Sequence, residues 1–307
     1  LALAAAGLLL LPALAAGLAT PDSQPFGRAD DRLALAVRAL TPPGTVIVSW
    51  WDDGYFLRYR ADRPVFFDGG SQTTEDCFAA AWGLAADNAE AAADWMLFFA
   101  ANGPGEIGRL APRFGSRQAT ADWLIRLFSS PPEARATLLA TLPGPALDDP
   151  AGYFFPSAPA CLFLRLELLA KSGFWLAFAA GPEARVPSNP PNHADVVARQ
   201  GLVVDAATGR LQLPEAALAK GYRFVPTVWN VDALPPLPAH LAGRADPILL
   251  YGQHLPIAVI ADQSAARSLA LRLLLAPDSA PHRFKKIIYD PAVGGAWMIR
   301  PGQEGEE

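Results

Sequence analysis

The hydrophobic and polar positions change period along the chain, and the changes mark out elements. In "RADDRLALAVRAL" (28–40) apolar residues at 33, 35, 37 and 40 stand among charges before "TPPG", which predicts a short helix. "TVIVSWW" (45–51) is apolar and β-branched, so a buried strand is expected. After Gly54, "YFLRYRAD" gives about two helical turns, and "PVFF" (64–67) reads as a second strand. Residues 71–140 read as mainly helical. The expected helices are "TTEDCFAAAWGLAA", a segment from Asn88 to Asn102 bounded by Gly103, and "SRQATADWLIRLFSS" and "PPEARATLLATL" around a Ser-Pro-Pro break. "APACLFLRLELLAKS" (158–172) is expected as a helix of about four turns.

Beyond Gly173 the period shortens. "FWLAF" (174–178), "YRFVPTVWNV", "PILLYG" and "PIAVIAD" read as strands, and "GLVVDAATGRLQL" as a hairpin turning at Thr208-Gly209. "QSAARSLALRLLLA" is a helix. "FKKIIYD" and "AWMIRP" form a closing strand pair around "PAVGG". The expected organisation is α/β, with a mixed central domain at 28–172, a β-rich C-terminal lobe at 173–300 and an acidic tail at 301–307.

Residues 1–20 add a membrane class. "LALAAAGLLLLPALAAGLAT" carries no charge and is long enough to span a bilayer core as a helix. A secretory signal is the rival reading, but it requires a basic leader before its apolar part. The favoured expectation is a last transmembrane helix at 1–20, following membrane-embedded sequence upstream of Leu1. Residues from Pro21 onward would then lie on the extracytoplasmic side. The net charge of −5 and the lack of a basic run exclude a nucleic-acid binder. Two cysteines, Cys77 and Cys161, permit one disulfide without implying it, and four scattered histidines match no metal pattern.

The candidate chemistry lies at the end of the first strand, in "SWWDDG". Strand residues alternate faces, so packing accounts for one of Trp50 and Trp51 and not readily for both. In a turn, two donor indoles and the acceptor carboxylate of Asp52 can converge on one small hydroxyl. The competing account makes both indoles core and Asp52-Asp53-Gly54 a plain turn. Asp53 repels Asp52 if both are buried, so an exposed Asp53 turned toward Arg58 or Arg60 and capping the following helix is expected. Asp68-Gly69-Gly70 reads as a turn and His254 as a structural histidine. Lys285-Lys286 reads as an exposed pair. "GPGEIG" (103–108) lacks the lysine of a phosphate loop.

"SWWDDGYFLRYRADRPVFFDGGSQ" resembles the signature region of the oligosaccharyltransferase catalytic subunit, in particular the single-subunit bacterial enzymes. Trp50, Trp51, Asp52 and Gly54 match its Trp-Trp-Asp-Tyr-Gly pattern, while Asp53 stands where the family has tyrosine. The closing "HRFKKIIYD" and "AWMIR" resemble the family's last strand pair. The resemblance implies transfer of a polyprenyl-diphosphate-linked oligosaccharide to the asparagine of an Asn-X-Ser/Thr acceptor. Trp50, Trp51 and Asp52 would bind the acceptor hydroxyl. Asp53 and Gly54 receive no role from it. Cys161, Leu164 and Leu168 follow the spacing of a supporting helix motif without its Met and Ile, so core packing is the equal reading. The family's divalent cation, Mg2+ or Mn2+, takes ligands from membrane-half loops, so none is expected in this chain. The chain alone is accordingly expected to transfer no glycan, and its place is the periplasmic side of a bacterial inner membrane. A carbohydrate-binding or structural periplasmic domain, and a membrane-anchored hydrolase, are the alternatives.

Overall fold

The computed structural model describes residues 26–198, 203–204, 211–212, 227–230, 248–251 and 257–302. The expected membrane helix at 1–20, His254 and the turn at Thr208-Gly209 lie outside them. No helix among the described residues is long and apolar enough to cross a membrane. In chain order the first half runs α1 (Arg28–Leu40), β1 (Val46–Val48), α2 (Trp51–Arg60), α3 (Thr74–Ala85), α4 (Ala89–Asn102), α5 (Glu106–Phe114), α6 (Arg117–Ser129), α7 (Pro132–Ala140) and α8 (Pro150–Phe154). Then come β2 (Ala160–Arg165), a 3-10 turn (Leu166–Lys171), α9 (Ser172–Phe178), β3 (Ala194–Ala198), β4 (Val203–Val204), β5 (Leu211–Gln212), β6 (Thr227–Asn230), β7 (Ile248–Tyr251) and β8 (Ile257–Ala261). The chain closes with α10 (Gln263–Arg267), α11 (Leu269–Leu275), β9 (Phe284–Asp290) and β10 (Gly294–Ile299).

The first sheet has the order β1-β2-β10-β9. β1 runs parallel to β2, with Val46 opposite Ala160, and β10 runs antiparallel to both β2 and β9. Strand alternation divides its side chains cleanly. Ile47, Cys161, Phe163 and Ala296 join Leu33 and Val37 of α1 and Leu57 of α2 on one face. Val48, Leu162, Leu164 and Trp297 join the aromatic core of α3, α4 and α6 on the other. The sheet is therefore the middle of three layers. A second sheet, β3-β8-β7-β6, and the pair β4-β5 supply the β-rich C-terminal part. The strand pair 284–299 lies in the first sheet.

Three expectations are corrected. Residues 160–165 are a strand, not a helix, and all six positions are buried. A strand covered on both faces has an unbroken apolar run, which periodicity cannot distinguish from a buried helix. "FWLAF" is α9, where Trp175 is buried and its indole N–H donates to the carbonyl of Leu168 at 3.0 Å. "PVFF" forms only a single bridge, Ile47 to Val65, because Pro64 has no N–H for a ladder. α5 was not expected after "GPGEIG", and Pro112 sits inside it. Cys77 and Cys161 are buried free thiols, so they are not a disulfide pair.

Candidate acceptor cleft

β1 ends at Val48, and the backbone turns at once into a helix. Trp50 is its extended N-cap residue, and Trp51, Asp52 and Asp53 form its first turn. The four residues thus occupy a helix start rather than a loop. A helix N-terminus carries free N–H groups and a partial positive charge, which suits two acids. Gly54 permits this placement. A Cβ at residue 54 would lie 2.5 Å from the Phe67 carbonyl oxygen and 2.7 Å from Asp68 Cβ, so only glycine lets α2 lie against the 67–68 backbone.

The four side chains have different surroundings. Trp50 is 4% exposed and sits between Phe67 and Phe178, with ring centroids 6.1 Å away in each case. Trp51 is half-buried against the core of the helical layer. Asp52 is also half-buried and forms an ion pair with Lys171. Asp53 is 6% exposed and pairs with Arg165 at 3.1 Å. The expectation of an exposed Asp53 facing Arg58 or Arg60 is therefore wrong. Arg58 pairs with Asp68 and Arg60 with Asp31, and Asp53 faces the sheet. It reaches a partner 112 residues away, which no local capping argument could locate.

Trp50, Asp52, Asp53, Arg165, Glu167, Leu168 and Lys171 line one small cleft, with room of about 10 Å³, the size of a single water. Of the three support candidates, Leu168 is in its wall. Cys161 and Leu164 are not, because in a strand a spacing of three places them on opposite faces of the sheet. Arg165, Glu167 and Lys171 were not singled out from the sequence. Their signal was three charges breaking an apolar run at 160–171. Burial pushes the Lys171 ammonium below its ordinary pKa.

Burial raises the Asp53 pKa from 3.8 to about 6, and the charge and hydrogen bond of Arg165 offset only part of that. A folded-state pKa above the unfolded one contributes stability that is complete below about pH 4. It is lost as pH rises through about 6. Asp53→Asn should abolish this component. Parent and variant unfolding curves, subtracted across pH 4 to 7, should differ by a term on the order of 2–3 kcal/mol with that slope. A difference independent of pH would show that Asp53 is not desolvated.

Residues 43–101, from the loop before β1 through α4, match the family model of the STT3/PglB/AglB core domain. A stretch of 38 residues is 50% identical to the dolichyl-phosphooligosaccharide-protein glycotransferase of Methanocaldococcus jannaschii, covering 12% of this chain and 4% of that protein. The fold is similar to that in a crystal structure of the C. jejuni PglB C-terminal domain. The TM-score is 0.54 at 13% identity, over 88% of this chain and 98% of that one. Over residues 43–101 the chain is thus similar to the STT3/PglB/AglB core domain, and its fold is similar to that of the PglB C-terminal domain.

Proposed function

We propose that the cleft at the start of α2 reads the hydroxyl of an Asn-X-Ser/Thr acceptor for an oligosaccharyltransferase. That enzyme would transfer a glycan from a polyprenyl diphosphate to the acceptor asparagine. The observation that carries this reading is the convergence of Trp50, Asp52 and Leu168 on one cleft, with Trp51 beside it on the first helical turn. Asp52 Oδ2 faces Lys171, and a carboxylate has a second oxygen that can accept a hydrogen bond from the hydroxyl. Indole N–H groups can donate to the hydroxyl oxygen, and Leu168 supplies an apolar wall for a threonine methyl. These groups bind and orient; they break no bond.

Among the described residues, no group of three or more His, Cys, Asp or Glu could hold a metal. Asp52 and Asp53 already face cations. In this proposal the Mg2+ or Mn2+ of the complete enzyme is bound elsewhere, and no step here passes through it. In this reading the cleft works on the periplasmic side of a bacterial inner membrane. Sugar binding by stacking loses support because the Trp50 ring is buried against Phe67 and Phe178 rather than flat in an open groove. A hydrolase loses support because the acids pair with Lys171 and Arg165, not with a nucleophile.

The test is acceptor kinetics in membranes containing the complete protein. An Asn-X-Thr peptide should bind and react, and an Asn-X-Ala peptide should do so poorly. Trp51→Ala and Asp52→Asn should each raise the acceptor KM several-fold to tens-fold, the range expected for losing a hydroxyl partner worth about 0.5–1.5 kcal/mol or more. Equal use of both peptides, or unchanged KM in both variants, refutes the reading.

A further inference from the structure

Arg165 ends β2 with a side chain 8% exposed, yet it serves three elements. Its Nε lies 2.8 Å from Asp30 Oδ1 in α1, and its Nη1 lies 3.1 Å from Asp53 Oδ1 in α2. Its Nη2 lies 2.9 Å from Glu167 Oε1 in the 3-10 turn. The Phe26 ring covers the guanidinium, with Cζ 4.7 Å from the centroid, and Phe26 in turn stacks on Phe56 of α2 at 4.0 Å. Asp30 is itself anchored, since its Oδ2 accepts from the Gly27 N–H at 2.7 Å.

This is a costly way to fill space. Two of the three carboxylates, Asp30 and Asp53, are as buried as the cation. A buried charge cluster gives little net stability over apolar packing. Its physical advantage is direction. The guanidinium is a rigid planar fork whose Nη1–H and Nη2–H donate to Asp53 and Glu167 and fix their bearing, while it holds Asp30 by charge alone. Successive residues on a helix point roughly 100° apart, so pinning Asp53 to the sheet fixes where Asp52 points. Asp52 then faces Lys171 across the cleft. The close approach at Gly54 holds the same turn in depth.

We propose that Arg165 is a positioning residue. Through its hydrogen bond to Asp53, with the Asp30 ion pair balancing its charge, it sets the rotation of the first turn of α2, and so the placement of Asp52 and Trp50 in the cleft. The inference rests on the acceptor-reading function above. It assigns Arg165 no contact with the acceptor.

The experiment again uses membranes containing the complete protein, with lipid-linked oligosaccharide and an Asn-X-Thr peptide. Arg165→Lys keeps the cation but not the fork. It should raise the acceptor KM about tenfold, as a small misplacement of positioned groups does. The donor KM and kcat at saturating acceptor should stay close to parental values. KM does not depend on how much enzyme is folded, so partial loss of protein leaves the reading intact. The triple variant Arg165→Met with Asp30→Asn and Asp53→Asn removes the charges together. Its melting temperature should fall near the parent's while the acceptor KM stays raised. A parental acceptor KM in Arg165→Lys, or in the triple variant, overturns the proposal and leaves Arg165 as charge balance only. Trp51→Ala and Asp52→Asn in the same assay separate the two ideas. If they leave the acceptor KM unchanged, the acceptor reading itself fails. If they raise it and Arg165→Lys does not, positioning alone fails.

Discussion

Gly54→Ala is expected to destabilise the protein by about 3 kcal/mol or more, although replacing glycine by alanine inside an open helix gains roughly 1 kcal/mol. The sign reverses because the new methyl would meet backbone rather than a movable side chain. Besides the Phe67 carbonyl oxygen at 2.5 Å, the Asp68 Cα lies 2.8 Å from the added Cβ. That backbone is held in place. The Phe66 N–H donates to Ile47 in β1 at 2.8 Å, and Asp68 Oδ2 pairs with Arg58 at 2.9 Å. Relief must come from α2 itself, which would lift its first turn and carry Trp50 and Asp52 out of register with Leu168 and Lys171. Thermal unfolding beside acceptor kinetics tests this. A variant as stable as the parent would mean that α2 does not lie this close to residues 67–68.

Asp94→Ala is the second large effect. Asp94 is buried in α4 and faces two cations, Arg283 Nη2 at 2.7 Å and Arg135 Nη1 at 2.8 Å. Arg283 is 4% exposed; it also pairs with Glu90 at 2.9 Å and donates through Nε to the Arg300 carbonyl at 2.6 Å. The cluster therefore ties the residues flanking the β9–β10 pair to the helical layer. Removing Asp94 leaves one buried guanidinium with only the half-exposed Glu90 carboxylate, and a cost of about 3–5 kcal/mol is expected. Denaturant unfolding measures it. The paired change Asp94→Leu with Arg283→Met should recover most of the loss, since exchanging a buried ion pair for apolar packing is often neutral. If the double variant is no better than Asp94→Ala, the loss comes from packing rather than from a stranded charge.

Which parts were legible in the sequence follows from how many neighbours each part has. α1 spans residues 28–40 as expected, because one face meets the sheet while the other carries charges to solvent. β9 and β10 were legible for a related reason. "FKKIIYD" keeps Lys285 and Lys286 exposed at one end, and the tight "PAVGG" link makes its partner the next strand. Those signals are local, and local chemistry suffices to write them. β2 has no solvent face to set a period and α9 is only two turns long, and both were assigned to the wrong class.

The site divides along the same line. The adjacency of Trp50, Trp51, Asp52 and Gly54 is covalent, so the sequence alone marked the spot and its resemblance to a known signature. The fate of each side chain was decided by residues far along the chain. Lys171 and Arg165 lie 119 and 112 residues beyond the acids they hold. They arrive there only because β2 pairs with β1 and ends beside the start of α2. Two adjacent aspartates look alike in a sequence. Burial beside a three-way arginine fork and half-exposure beside a lysine make them different groups, and those surroundings exist only once the sheet has formed.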